Sequence, residues 1–370
     1  MYKDELIESD FLNVEYDFIE YYVGMAKMVV YWHVKALGFK VMAYYGPEKG
    51  QQEKCSYYLV KNNIKIVITA ASQPSSHDIV SFVDLHGNGI KRIGIAIKNI
   101  DDFYVDILGK GAIPVKFPAT VTDSDGKVVT ASIKIFDDNE IMFVDTSEYN
   151  GIFLPGYKPV EEDWDFNEED SCLTGIDHIA SAMRINEMSM WERYFNTIFQ
   201  SKTVKCFDHR QNGEEEKIGM LLKVLQTEGK QMNNVLVEPD QHKSTQVQLF
   251  LDKNYGSGIQ HVAFTSSNIF NTVEVLRKNG VRFSSYPDSY YTELKEKYPA
   301  LDVAKFKKYG ILCDIIGDSL LLQVFTTPIG DRPTFFYEII QRVNNYEGFG
   351  IDNIKALFEA VEREKKLNLN

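Results

Sequence analysis

The 370-residue chain is long enough for two domains with cores of their own. Its 44% hydrophobic and 25% charged residues are those of a folded soluble protein, and its net charge of -13 excludes nucleic acid and an anionic membrane surface as partners, because phosphate binding needs a basic face. It has neither an apolar leader core nor a run of eighteen apolar residues, and its four cysteines (Cys55, Cys172, Cys206, Cys313) lack CxxC spacing, which suggests reduced thiols in a cytoplasm and no zinc site.

In chain order, Tyr16 to Val23 is rich in β-formers and reads as a strand. An amphipathic helix follows over about residues 25–38, with Ala26, Val29, Val30, His33 and Leu37 near one face. Tyr57–Val60 and Ile64–Thr69 read as strands joined at Asn62-Asn63, a β-α-β-β module with room for one more strand. A second module begins at Ile90, carries a helix over about residues 101–109 and returns strands near 129–136 and 140–144. Residues 156–170 break the pattern with two acidic clusters, Glu161-Glu162-Asp163 and Glu168-Glu169-Asp170, and read as a solvated linker. The expected division is a structural domain over 1–157 and a catalytic domain over 158–370.

After the linker the plan repeats. Gly175-Ile176-Asp177-His178-Ile179-Ala180 aligns with the strand at Tyr16, placing His178 opposite Phe18. Trp191 lies thirteen residues past His178, as Tyr31 does past Phe18, and Phe199 and Phe39 close both helices in one register. Gly256-Ser257-Gly258-Ile259-Gln260-His261 matches Gly87-Asn88-Gly89-Ile90-Lys91-Arg92, so His261 stands where the first half has Arg92. The chain therefore reads as α+β, with four βαβββ modules, two per domain, and histidine at the two equivalent inner positions of the second domain only.

The last module ends in strands over Leu321–Thr326 and Thr334–Ile340. Alternation places Phe336, Glu338 and Ile340 on one face and Phe335, Tyr337 and Ile339 on the other, so Glu338 has apolar neighbours on both. A carboxylate there must be protonated, paired or metal-bound. Arg342 projects the same way but roughly 13 Å along the strand, which favours a metal. Near the C-terminus Ile354, Leu357, Phe358 and Val361 follow helical spacing behind an Asp352 cap, and Gly348-Phe349-Gly350 gives a hinge-like approach suited to a lid.

Two histidines and a glutamate on strands of one concave face form the facial triad of non-haem Fe(II) oxygenases, although zinc accepts the same ligands. Gln246, Gln260 and Gln323 are neutral hydrogen-bonding groups able to orient a substrate or the ligands.

The second domain resembles the 4-hydroxyphenylpyruvate dioxygenase and 4-hydroxymandelate synthase family, of vicinal oxygen chelate (glyoxalase-like) fold. The runs that carry the resemblance are GIDHIA, GSGIQHVAF, YPDSYYTEL, LLQVFTTP, RPTFFYEIIQR and the terminal segment through Lys355-Ala356-Leu357; GNGIKRIGIAI and EYNGIFLPGY extend it into the first domain. It implies an open barrel of mixed sheet with a C-terminal lid helix, and Fe(2+) held by His178, His261 and Glu338. It places Gln246, Gln260 and Gln323 around the substrate, and Phe325, Phe336, Phe349 and Phe358 on the pocket wall. It also implies an aryl 2-oxo acid and O2 as substrates and an iron-bound oxo species as oxidant, with no protein acid or base assigned. A homodimer or homotetramer is compatible with it.

Two departures point within the family. Val237-Glu238-Pro239 stands where homogentisate-forming members usually carry asparagine first, and Ile354 stands where they carry phenylalanine; both resemble the mandelate synthases. A third, Leu222 in place of a serine, removes a polar contact and suits a substrate without the phenol hydroxyl. The expected reaction is decarboxylation with benzylic hydroxylation to a mandelate; the alternative within the family is homogentisate formation. An extradiol ring-cleaving enzyme of the same fold would want a further acid or base near the metal, and of the remaining histidines only His209 and His242 lie in the second domain. A non-catalytic binder would not need three ligands on one face.

Overall fold

A computed structural model describes residues 14–161, 164, 169–207, 219–240, 246–350 and 353. The first module is β1 (Tyr16–Tyr22), α1 (Ala26–Trp32), β2 (Lys40–Tyr45), β3 (Lys54–Lys61) and β4 (Ile64–Ala71). Helix α1 runs into a π-turn over His33–Leu37 and ends at Gly38, whose φ of 80° suits a residue without a Cβ. Helix α2 (His77–His86) leads to the second module: β5 (Gly89–Ala96), α3 (Ile100–Gly109), β6 (Ile113–Asp123), β7 (Gly126–Ile135) and β8 (Asn139–Asp145). A two-residue strand, β9 (Lys158–Pro159), closes the first half.

The second half repeats the order with β10 (Leu173–Ala182), α4 (Met188–Phe199), β11 (Lys202–Phe207), β12 (Met220–Gln226) and β13 (Asn233–Pro239). After α5 (Gln246–Asn254) come β14 (Gly258–Ser266), α6 (Ile269–Lys278), α7 (Asp288–Lys297), α8 (Val303–Tyr309), β15 (Leu312–Ile316), β16 (Ser319–Phe325) and β17 (Phe336–Val343).

Two mixed sheets result, ordered β6-β7-β8-β5-β1-β4-β3-β2-β9 and β11-β12-β13-β10-β14-β17-β16-β15. In each, the opening strands of the two modules pair antiparallel at the centre, and each also pairs parallel with its module's last strand. The registers coincide as the repeat requires: Phe18 faces Gly94 and Glu20 faces Arg92, while His178 faces Ala263 and Ala180 faces His261. The expected paired βαβββ modules are present, and each sheet curls around a concave face.

Several sequence expectations need adjustment. Strand β6 escaped notice because it is an edge strand exposed along nearly its whole length, so no hydrophobic alternation marks it. The missing strand of the first module is β2. Trp191 and Tyr31 are not structural equivalents: Trp191 is buried against Phe136 (ring centroids 4.8 Å apart), whereas Tyr31 is 48% exposed. Phe199 ends α4, whereas Phe39 lies one residue past Gly38, outside the helix; both are buried. The linker region is not uniformly solvated, since Tyr157 is buried and Lys158–Pro159 pairs with β2. The C-terminal helix, with Ile354 and Phe358, lies outside the described residues, as do His209 and His242. Among the described residues no helix is long and apolar enough to cross a membrane.

Helices α1, α3, α4 and α6 pack into one continuous core that joins both halves and includes Phe39, Phe136, Phe195, Phe264 and Tyr337, whereas α5 packs Val247, Phe250 and Leu251 against Ala180, Leu222, Val237 and Phe349. At its centre His33 Nδ1 donates to the Val29 carbonyl (2.7 Å) and its Nε2 lies 2.7 Å from the Tyr337 hydroxyl. Tyr337 is 2.9 Å from the Tyr21 hydroxyl. The neighbour of Glu338 is thus pinned to the first half of the molecule.

Candidate metal centre

Strands β10, β14 and β17 are consecutive in the second sheet and bring His178, His261 and Glu338 together. Their ligand atoms all lie within 4.8 Å of one another. His178 Nε2 is 3.1 Å and His261 Nε2 is 3.4 Å from the same oxygen, Glu338 Oε2. The three are buried, Glu338 to 1% exposure.

Each donor is held from behind. His178 Nδ1 is 2.9 Å from Asp177 Oδ1, and Arg342 grips Asp177 through Nε (2.7 Å) and Nη2 (2.9 Å). In the neutral ring that a metal requires, that contact fixes the Nδ1–H tautomer and leaves Nε2 as the ligand atom facing the site. His261 Nδ1 is 3.3 Å from Gln260 Oε1. Gln323 Nε2 donates to Glu338 Oε1 (2.9 Å), its own Oε1 accepts from Asn353 Nδ2 (2.8 Å), and Asn353 Oδ1 accepts from Tyr290 (3.0 Å). Glu338 therefore has one oxygen fixed by an amide and the other facing two imidazoles.

Burial alone would raise the Glu338 carboxyl, but the His178 charge and hydrogen bonds from both imidazoles outweigh it and bring it down to about 2. Burial likewise depresses His178, yet Glu338 and Asp177 raise it to about 9. His261 stays low, because burial dominates its contact with Glu338. Without a metal, His178 holds a proton against Glu338; a divalent cation takes the place of that proton and uses all three donors at once. Two imidazoles and one carboxylate on one side leave further positions open, the donor set of non-haem Fe(II) sites and also one that zinc accepts.

The walls are apolar. Phe336 stacks on the His261 ring (4.7 Å), Phe325 stands edge-on to it (6.0 Å), and Phe349 lies edge-on to His178 (6.2 Å). Phe349 packs in one cluster with Ala180, Leu222 and Val237. Leu222 and Val237 face each other across β12 and β13 and are 5% and 4% exposed. Gln246 is different: it opens α5 and is exposed. Sequence reasoning missed the roles of Asp177, Asn353 and Tyr290, and rejected Arg342 as a partner for Glu338 without finding its real partner. The Asp177-His178 dipeptide was the available signal; the Arg342 contact spans two strands and has none.

Residues 175–302 match the model of the Glyoxalase/Bleomycin resistance protein/Dioxygenase superfamily. The 4-hydroxyphenylpyruvate dioxygenase of Dictyostelium discoideum is 31% identical over 96% of this chain and 99% of its own length. That of Danio rerio is 33% identical over 96% and 91%. A solved triple mutant of 4-hydroxymandelate synthase from Streptomyces coelicolor superposes with a TM-score of 0.81 at 26% identity, covering 95% of this chain and 98% of that one.

Proposed function

The chain belongs to the 4-hydroxyphenylpyruvate dioxygenase family, with the vicinal oxygen chelate fold, and from that premise we propose that it converts an aryl 2-oxo acid and O2 to a mandelate and CO2 at one Fe(II). The observation that carries this reading is the convergence of His178, His261 and Glu338 in a buried apolar cup. Those three residues would hold the metal. Bound iron would supply a seat for the 2-oxo acid and the redox chemistry that couples its decarboxylation to hydroxylation.

The chain's own residues do the rest. Asp177, Gln260 and Gln323 fix the orientation of the three ligands, so little rearrangement is needed when metal and substrate bind. Phe325, Phe336 and Phe349 exclude water and give an aryl group flat surfaces. Leu222 and Val237 line the interior without any hydrogen-bonding side-chain atom, so the aryl end is held by packing alone. An aryl end not tethered by an amide is free to turn its benzylic CH2 toward the reacting centre. A preference of about 3 kcal/mol, roughly a hundredfold, is enough for one product to dominate. Gln246 and, beyond the described residues, Ile354 and Phe358 complete the proposed substrate set. The division into a structural 1–157 and a catalytic 158–370 belongs to the same reading, as does a cytoplasmic setting, which the four free thiols support.

A second reading, ring attack with side-chain migration to homogentisate, is favoured by the names of the sequence relatives. With 4-hydroxyphenylpyruvate the two products are isomers, so chromatography against standards separates the readings where mass alone does not. Anaerobic Fe(II) loading followed by 4-hydroxyphenylpyruvate or phenylpyruvate with O2 is expected to give the mandelate as main product. Homogentisate as main product would overturn the assignment of product and leave that of the metal intact.

A further inference from the structure

We propose that the first half-barrel is a second ligand site, one that takes a small aromatic monocarboxylate. The proposal rests on none of the metal assignments. The positions equivalent to His178 and His261 hold Phe18 and Arg92, so no metal chemistry survives there. Arg92 instead builds a floor: its Nη1 donates to Glu20 (2.9 Å) and its Nε to Glu140 (2.8 Å), all three buried. Thr69 donates to the other Glu20 oxygen (2.8 Å), so both carboxylates are engaged.

Beyond that floor the barrel is not filled. A cavity of about 200 Å³ remains, walled by Phe18, Tyr45, Val128, Met142 and Phe153. Phe153 stands edge-on to Phe18 (5.2 Å) and stacks on Tyr58 (4.1 Å), so flat aromatic surfaces are already fixed in place. An apolar cavity of roughly 150 Å³ accepts benzene, which makes this one large enough for a ring with a short acid arm.

Three more polar side chains line the same cavity. Ser132 is 2% exposed, and its Oγ has no hydrogen bond. Lys54 and Lys116 both line the cavity, and among the described residues neither ammonium has a carboxylate within 4.0 Å. Lys54 is partly buried; burial, together with Arg92 and Lys116, lowers its affinity for its proton, against which Glu20 acts. A buried hydroxyl without a partner and a part-buried Lys54 ammonium repelled by Arg92 and Lys116 are costly as they stand, and the exposed Lys116 adds positive charge at the cavity rim. One carboxylate satisfies them together, and the apolar walls select an aryl body over a bare anion.

The test is 19F NMR of metal-free protein with 4-fluorophenylacetate, with 4-fluorophenylacetamide as the neutral control and inorganic phosphate as competitor. A bound resonance is expected to persist in Leu222→Trp, which fills the second half-barrel, and to vanish in Val128→Trp, which fills the first. Lys54→Met and the more exposed Lys116→Met are each expected to weaken binding about tenfold or more, with thermal melts confirming that the variants fold. The proposal is overturned if the only bound resonance disappears in Leu222→Trp, if Lys116→Met and Val128→Trp leave it unchanged, if the amide binds as tightly, or if phosphate displaces it at equal concentration. None of these readouts depends on iron content or turnover, so failure here is distinguishable from failure of the proposed function.

Discussion

Glu338 shows how far a single residue can be read. Its apolar neighbours in the sequence dictate burial, and a buried carboxylate needs a partner. What the sequence could not show is the support behind the donors, because Asp177, Arg342, Gln323 and Asn353 meet only when distant strands are paired. That support is testable. Asp177→Asn keeps an acceptor for His178 Nδ1 and loses the charge, and is expected to weaken Fe(II) binding about tenfold. Asp177→Ala loses both and is expected to cost up to about a hundredfold. Anaerobic metal titration reads both, and parent-like affinity in both variants would show that His178 does not rely on Asp177. The product assignment rests on Val237 and Ile354, and the first of these is testable on the pocket wall. Val237→Asn returns an amide to the pocket wall and is expected to raise the homogentisate share of product severalfold, measured by chromatography; an unchanged ratio would show that Val237 does not steer the aryl end.

At the scale of elements, strands with buried side chains were legible, and an exposed one was not. β10, β14 and β17 carry the site and are buried on both faces over much of their length, whereas β6 is exposed and was invisible to the pattern. Helix α1 was expected to run unbroken to Gly38, but its last turn widens into a π-turn that begins at His33. That turn places His33 between the halves, where it joins Val29 and Tyr337. Burial brings the His33 imidazole down to about 4, with the Val29 contact acting the other way. The ordinary value is about 6.5, so below that pH the unfolded chain takes up a proton that folded His33 refuses. Stability present above pH 6.5 is therefore expected to fall as the pH drops toward 4, by about 3 kcal/mol over the full span. Urea midpoints between pH 7 and 4.5, compared with those of His33→Gln, measure this contribution; identical pH slopes in the two proteins would remove His33 from the account.

For the whole molecule, the repeat was the most informative feature of the sequence. Aligning His261 with Arg92 and His178 with Phe18 required no structure, and the strand registers reproduce both pairs. The fate of the first half was less legible. Arg92 reads as a mere substitution until Glu20 and Glu140 are seen around it. The two halves thus share an architecture and one core but have opposite interiors, one with converging neutral and anionic donors and the other with an ion-paired floor.

The most direct measurement of the central claim is iron content after anaerobic loading, in the parent protein and in Glu338→Ala. Glu338 lies on the concave side and takes no part in the core that joins the halves, so the variant is expected to keep its circular dichroism spectrum. The account predicts one Fe(II) per chain in the parent and essentially none in the variant. An equal iron content in the two proteins would contradict it.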